Sequence, residues 1–213
     1  MKSMDHKGVL IVVSGFAGTG KGTLMKELLS QYDNYVLSVS ATTRLPRPGE
    51  VDGVHYFFCD KSRFEQMIAD QELLEHAQYV GNYYGTPRAF VESQRELGKD
   101  VILEIEIQGA LEIKKKYPEA VLLFVMPPSA TELKRRLVNR GTETPEVIEQ
   151  RLQRANEEAK GIENYDYIVI NDDLEECVRE LHGIIQAAHF TPSRKKDWIN
   201  QMRQELKMFL KGE

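Results

Sequence analysis

A chain of 213 residues can bury one α/β core with an insertion, but it is short for two independent domains. Its 28 Lys and Arg against 33 Asp and Glu leave a formal net charge of −5, which argues against a general polyanion-binding surface and so against nucleic acid as a partner. Two isolated cysteines, Cys59 and Cys177, and five scattered histidines show no metal-ligand spacing, and no run approaches the ~18 apolar residues of a membrane span, so the expectation is a cytoplasmic protein with buried free thiols, no protein-held metal and no membrane partner.

Val9 to Val13 is an apolar, mostly β-branched run that reads as a strand buried on both faces, and a helical pattern from Lys21 to Gln31 follows it. Between them lie Gly15, Phe16, Ala17, Gly18, Thr19 and Gly20, and Gly15, Gly20 and Lys21 fit the phosphate-loop pattern G-x-x-x-x-G-K. Backbone N–H groups of such a loop wrap a polyphosphate, the helix N-terminus adds its dipole, and Lys21 adds a mobile charge. Gly22 stands where a hydroxyl usually meets Mg²⁺, so Thr23 is the nearest substitute.

Tyr35 to Val39 reads as the second strand, and Ser40 to Gly53 is too rich in Pro and Gly for helix or central strand. Val54 to Phe58 reads as a strand, Lys61 to Asp70 as a helix, Leu73 to Val80 as extended chain and Gly81 to Gly85 as a turn. These pieces, about 40–86, interrupt the βα alternation and read as an inserted lobe. The loop carries Arg44 and Arg47, and the lobe offers Tyr56 and Tyr84 as neutral donors; together they suit a phosphate monoester.

The alternation resumes with a helix from Pro87 to Leu97, a strand from Asp100 to Ile107 with carboxylates toward its end, and a helix from Ala110 to Tyr117. A strand from Ala120 to Val125 leads through Ser129, a candidate N-cap, into a helix from Glu132 to Asn139. A second arginine-bearing helix runs from Glu146 to about Gly161, then a strand from Tyr165 to Ile170 and a helix from Leu174 to Ala188. In the tail, Trp198, Ile199, Met202, Leu206 and Phe209 at helical spacing predict an amphipathic helix that packs on the core or on a second subunit. The five strands opening at Val9, Tyr35, Val101, Val121 and Tyr167 predict an α/β fold with a mainly parallel five-stranded sheet covered on both faces.

Ser40-x-x-Thr-Arg44-x-x-Arg47-x-Gly-Glu50, Gly81-Asn-Tyr-Tyr84-Gly85, Gln108-Gly109, Arg140-Gly-Thr-Glu-Thr and Asn171-Asp-Asp together resemble guanylate kinase, in order from about Gly8 to Ala188. The resemblance implies transfer of the γ-phosphoryl of ATP, carried with Mg²⁺, to GMP, with dGMP as a further acceptor. It implies a core over 1–39 and 87–190, a GMP-binding lobe over 40–86, a lid over about 135–160, and a tail, 191–213, outside the family pattern. Carried over by position, the acceptor phosphate ligands fall on Arg44, Arg47, Tyr56 and Tyr84 with Glu50 nearby, and the guanine contacts on Ser40, Glu75, Thr86 and Glu106. The donor-side arginines fall on Arg136, Arg140 and Arg151, and the adenine-side contact on Asn171. A carboxylate such as Glu75 suits guanine, which presents N1–H and N2–H₂ side by side.

This chain departs from the family at Phe16 and Ala17, where Pro and Ser are common, and at Glu106, where Asp is usual. Two rivals stand beside the kinase: a catalytically silent module of the same fold that captures a phosphopeptide, and a kinase of another monophosphate. Lys21, Arg136, Arg140 and Arg151 argue against the first, and the Ser40 and Glu75 pair against the second.

Overall fold

The computed structural model describes residues 7–79, 81–139, 141 and 144–211. The chain opens with β1 (Leu10–Gly15), α1 (Lys21–Gln31) and β2 (Tyr35–Leu37). A run of smaller elements follows: β3 (Ala41–Thr42), β4 (Phe57–Phe58), α2 (Lys61–Ala69), β5 (Leu73–Tyr79) and β6 (Asn82–Pro87). Then come α3 (Arg88–Glu96), β7 (Asp100–Glu104), α4 (Ile107–Lys116), β8 (Val121–Met126), α5 (Ala130–Asn139), α6 (Pro145–Ala159), β9 (Tyr167–Ile170), α7 (Leu174–Ala188) and α8 (Lys196–Lys211).

The expected five-stranded sheet forms in the order β2-β7-β1-β8-β9, with every neighbouring pair parallel. β1 is central, and its alternating side chains feed two cores. Val9, Ile11 and Val13 pack with Leu24 and Leu28 of α1 and with Leu181 and Ile185 of α7. Leu10 and Val12 pack on the other face with Ala110 and Ile113 of α4 and Leu133 and Leu137 of α5. A strand covered on both faces has no polar side to show, which is why the run is apolar throughout. In a parallel sheet all carboxyl ends lie on one edge, and there the loops after β1 and β7 meet.

A second sheet, in the order β4-β3-β6-β5, has its own small core of Ala41, Phe64, Met67 and Leu73. Two readings of this segment need correction. Only Phe57 and Phe58 of the predicted strand join the sheet, against β3, while Tyr56 makes an isolated bridge to Asp52, because Val51 to Tyr56 folds back in turns closed by Gly53 N–H to the Tyr56 carbonyl at 2.8 Å and Val54 N–H to the Val51 carbonyl at 3.2 Å. Gly81 to Gly85 is mostly strand rather than turn: β6 runs antiparallel to β5 and β3. Period-2 alternation explains it, since Tyr83 stacks on Phe64 in the small core with ring centroids 5.2 Å apart while Tyr84 faces the cleft.

A third correction falls at the end of β7, which stops at Glu104 rather than continuing to Ile107. Glu106 is the extended N-cap residue of α4, which starts three residues earlier than the predicted Ala110. The carbonyl of Ile105, leaving the ladder, accepts the Ser14 hydroxyl at 2.6 Å. Elsewhere the predicted elements form within a few residues of their expected bounds, and Ser129 accepts the Glu132 N–H at 3.1 Å. The tail helix forms as α8, but of the five stripe residues only Ile199 is half-buried, while Trp198, Met202, Leu206 and Phe209 stay 40, 55, 54 and 80% exposed, so most of the stripe is not packed on the core. Cys59 and Cys177 are free thiols; Cys177 is buried and Cys59 half-buried. Among the described residues no helix is long and apolar enough to cross a membrane.

Candidate active site

The loop between β1 and α1 lies at the carboxyl edge of the sheet. Gly20, the N-cap residue of α1, holds a left-handed φ of 88°, a conformation that costs any residue with a Cβ, and a Cβ there would also lie 2.8 Å from the Asn171 amide nitrogen. The loop is braced from three sides. Asn171, following β9, donates its amide to the Thr19 carbonyl at 2.7 Å; Arg136 of α5 reaches the same carbonyl at 3.4 Å; and Phe16 sits edge-on against Phe124 of β8 at 5.1 Å. Phe16 therefore anchors the loop in the core, which accounts for an aromatic at that position. Lys21 Nζ donates to the carbonyls of Gly15 at 2.6 Å and Phe16 at 3.2 Å, so its ammonium lies across the mouth of the loop.

Across the cleft, the segment after β3 is organised by Glu50. Its carboxylate takes a two-armed grip from Arg44, Nη1 to Oε2 at 2.9 Å and Nη2 to Oε1 at 2.8 Å, and also accepts the backbone N–H of Arg47 at 2.7 Å. These bonds hold the Glu50 carboxyl down at about 2, with Arg44 the largest cause. The Arg44 guanidinium also lies 5.3 Å from the centroid of the Tyr56 ring, which in turn meets the Tyr84 ring edge-on at 6.1 Å. Burial pushes the Tyr56 hydroxyl up, which keeps it a neutral donor.

Glu75 lies on β5 where the pairing register with β6 shifts between Leu73 and His76, an irregularity that re-aims side chains. Leu73, Leu74 and Glu75 are consequently all buried, Leu73 in the small core and Leu74 in the main one. Thr86 donates its hydroxyl to Glu75 Oε1 at 2.7 Å. Burial pushes the Glu75 carboxyl up to about 7, with the Thr86 bond pulling the other way. Ser38 and Ser40 line the cleft nearby, and the Ser38 hydroxyl is buried with no hydrogen-bond partner among the described residues.

One cleft of about 570 Å³ connects these parts, a volume suited to small-molecule ligands. Of the residues singled out in the sequence, Gly15, Ala17, Lys21, Ser40, Arg44, Arg47, Glu50, Tyr56, Glu75, Tyr84, Glu106 and Arg151 line it. Thr86 stands behind Glu75, and Phe16, Thr19, Arg136 and Asn171 brace the loop. Gly18, Gly20, Gly22 and Thr23 are not in the lining, and Thr23 is exposed on α1. Arg140 lies outside the described residues.

The structure adds residues that were not singled out. Glu104, at the end of β7, opens into the cleft, whose walls crowd it and push its carboxyl up while Lys21 pulls it down. Arg154 of α6 donates to Glu106 at 2.9 Å and to Glu158 at 2.7 Å, tying α6 to the N-terminus of α4. Glu132 is gripped by Arg135 at 2.6 Å and Arg136 at 2.7 Å, which holds its carboxyl down at about 2. Among the described residues no cluster of three or more His, Cys, Asp or Glu could hold a metal ion unaided.

A lysine-bearing glycine loop at the carboxyl edge of a parallel sheet, facing an arginine loop across one cleft, places the chain in the P-loop kinase class of α/β proteins. The comparisons narrow that class. The family model described as Guanylate kinase matches residues 7–188. The chain is 52% identical over 197 residues to the guanylate kinase of Halalkalibacterium halodurans, covering 92% of this chain and 97% of that one. It is 53% identical over 201 residues to that of Clostridioides difficile, covering 94% and 98%. The crystal structure of guanylate kinase from Anaplasma phagocytophilum superposes with a TM-score of 0.73 at 35% identity, covering 89% of this chain and 90% of that one. The chain belongs to the guanylate kinase family.

Proposed function

We propose that the chain transfers the γ-phosphoryl group of ATP to GMP, giving ADP and GDP. The observation that carries this reading is the single cleft in which Lys21, Arg44 and Glu75 meet, so that a donor polyphosphate, an acceptor phosphate and a guanine base each have a matching wall.

ATP lays its phosphates along the loop from Gly15 to Thr23, where the α1 N-terminus and Lys21 take their charge. The acceptor phosphate enters between Arg44, Arg47, Tyr56 and Tyr84, with Glu50 holding both arginines in place. Glu75 accepts N1–H and N2–H₂ of guanine as a carboxylate, Thr86 orients it, and Ser40 and Glu106 complete the base wall. Asn171 and Arg136 act on the donor side through the Thr19 carbonyl they hold.

The attacking atom is an ionised phosphate oxygen of GMP, so no general base is required. Arg136 and Arg151, with Arg140, bring positive charge toward the transferring group, whose equatorial oxygens carry negative charge in the transition state. Lobe 40–86 and lid 135–160 close over core 1–39 and 87–190, excluding the water that would hydrolyse ATP. Magnesium, which keeps most of its water shell and arrives with ATP phosphates, would be held through Glu104 rather than Thr23, and it neutralises phosphate charge when bound.

An ADP-release assay at saturating MgATP across GMP, dGMP, AMP, CMP and UMP tests the proposal. Turnover with GMP and dGMP and little with the others is expected. Equal use of AMP would assign the acceptor site to another base, and no ADP release with any acceptor would favour the silent binding module.

A further inference from the structure

We propose that Gly109 is a positioning residue for guanine recognition: by lacking a side chain it sets where the Glu75 carboxylate stands, an inference that rests on the acceptor-base reading above. Gly109 lies in the first turn of α4 and is not among the residues with positive φ, so the backbone there is one that any residue could adopt. Glycine inside a helix is disfavoured relative to alanine. What the position uses is therefore the missing side chain, not conformational freedom.

A Cβ built on Gly109 would lie 2.6 Å from Oε2 and 3.2 Å from Cδ of Glu75, and 3.3 Å from Cδ1 of Ile105, the end of a flexible side chain that can give by a few tenths of an ångström. Something must then move, and the structure limits what can. α4 is seated by Ala110 and Ile113, both 0% exposed, and its last residue, Lys116, donates Nζ to the Leu74 carbonyl on β5 at 2.8 Å. Helix and strand are thus tied one residue away from Glu75. On the far side of the carboxylate, Oε1 is held by buried Thr86. The Glu75 carboxylate is the part free to yield, by several tenths of an ångström and at the expense of its bond to Thr86.

A displacement of that size matters for a carboxylate that takes two adjacent donors from one base edge, because both bonds need the same placement. The donor half of the cleft does not share the contact. Gly109→Ala is therefore expected to raise KM for GMP about 10- to 100-fold while leaving KM for ATP within about twofold. The preference for GMP over IMP, which lacks the 2-amino group, should shrink.

The decisive experiment is a double-mutant cycle with Glu75→Ala, reading kcat/KM for GMP and IMP, KM for ATP and the melting temperature. If Gly109 acts through the carboxylate, Gly109→Ala costs at least tenfold in the wild-type background and less than about twofold in Glu75→Ala, where its methyl group fills vacated space. Equal losses in both backgrounds, or no loss in either, would overturn the inference. Should the single variant fail to fold, folding of the double variant supports the clash with Glu75, and failure of both contradicts it. If Glu75→Ala by itself leaves GMP use and the GMP-to-IMP ratio unchanged, the acceptor-base reading has failed, and the role given to Gly109 goes with it.

Discussion

Thr86 donates its hydroxyl to Oε1 of Glu75 at 2.7 Å, between residues that are 0% and 4% exposed. Burial makes this carboxyl hold its proton longer than an exposed one, because the Thr86 hydroxyl and backbone N–H pull only part of the way back and no cation among the described residues is bonded to it, hence the value of about 7. On the proposed reading Glu75 takes the two adjacent donors N1–H and N2–H₂ of guanine, so GMP should bind the ionised carboxylate better than the protonated one.

Binding of GMP should therefore release a proton and weaken in acid. With a carboxyl at about 7, only about a tenth is ionised at pH 6 against about nine-tenths at pH 8, so KM for GMP should rise about tenfold between them. The phosphate of GMP titrates as well, and Glu75→Gln isolates that part because it has no carboxyl. The linkage to stability has the same origin: the folded chain keeps a proton that the unfolded chain loses near 4.5, so this group favours folding most below 4.5 and the contribution is lost as pH rises through about 7. A flat KM over this range, or no proton release in calorimetry with buffers of different ionisation enthalpy, would contradict the assignment.

Glu50 titrates in the opposite sense. Held at about 2, it favours the folded loop at pH above 4.5, and that contribution is lost as pH falls toward 2. Glu50→Gln removes the charged partner of Arg44 and should raise KM for GMP about tenfold with KM for ATP unchanged, since the loss is one of arginine placement. Steady-state kinetics in both substrates provides the check, and a change confined to ATP would place the loop on the wrong side of the reaction.

Lys21→Ala should reduce turnover by at least ~10²-fold, because a preorganised charge at the donor phosphates is lost. GMP binding, measured calorimetrically without ATP, should stay within a few-fold. Near-normal turnover would mean that the glycine loop is not the donor site.

Ending the chain at Phe190 removes α8, whose apolar stripe is mostly exposed, together with the Arg194 bond to the Lys7 carbonyl, and leaves every residue assigned to the site in place. Activity should remain within a few-fold and the melting temperature of dilute protein should change little. Loss of catalysis with the fold intact would show that the tail contributes to the cleft.

The glycine loop was legible in the sequence because its signal is local: an apolar strand, a left-handed turn at Gly20 and a helix within a dozen residues. So was the parallel sheet, from the spacing of five apolar runs. What escaped was set by distant partners. Glu106 and Arg154 are 48 residues apart, and neither flank announces the pair. Glu104 was visible as a carboxylate late in a strand, but only the fold shows that it opens toward Lys21. β6 was hidden because Gly81, Asn82 and Gly85 carry turn propensity while Tyr83 and Tyr84 carry the strand alternation, and packing on Phe64 decided the outcome.

The central claim is that the cleft reads guanine through the Glu75 carboxylate, and Glu75→Gln tests it with almost no change of size. The amide keeps one acceptor and sets an NH₂ against the donors of guanine. Loss of a charge-assisted bond in a buried site, roughly 1.5–3 kcal/mol, corresponds to a fall of about 10- to 200-fold in kcat/KM for GMP. The measurement is kcat/KM for GMP and AMP, wild type against Glu75→Gln, at saturating MgATP. The account predicts that fall for GMP with AMP unchanged or slightly better used; an unchanged GMP value with an unchanged GMP-to-AMP ratio would remove Glu75 from the base site and contradict it.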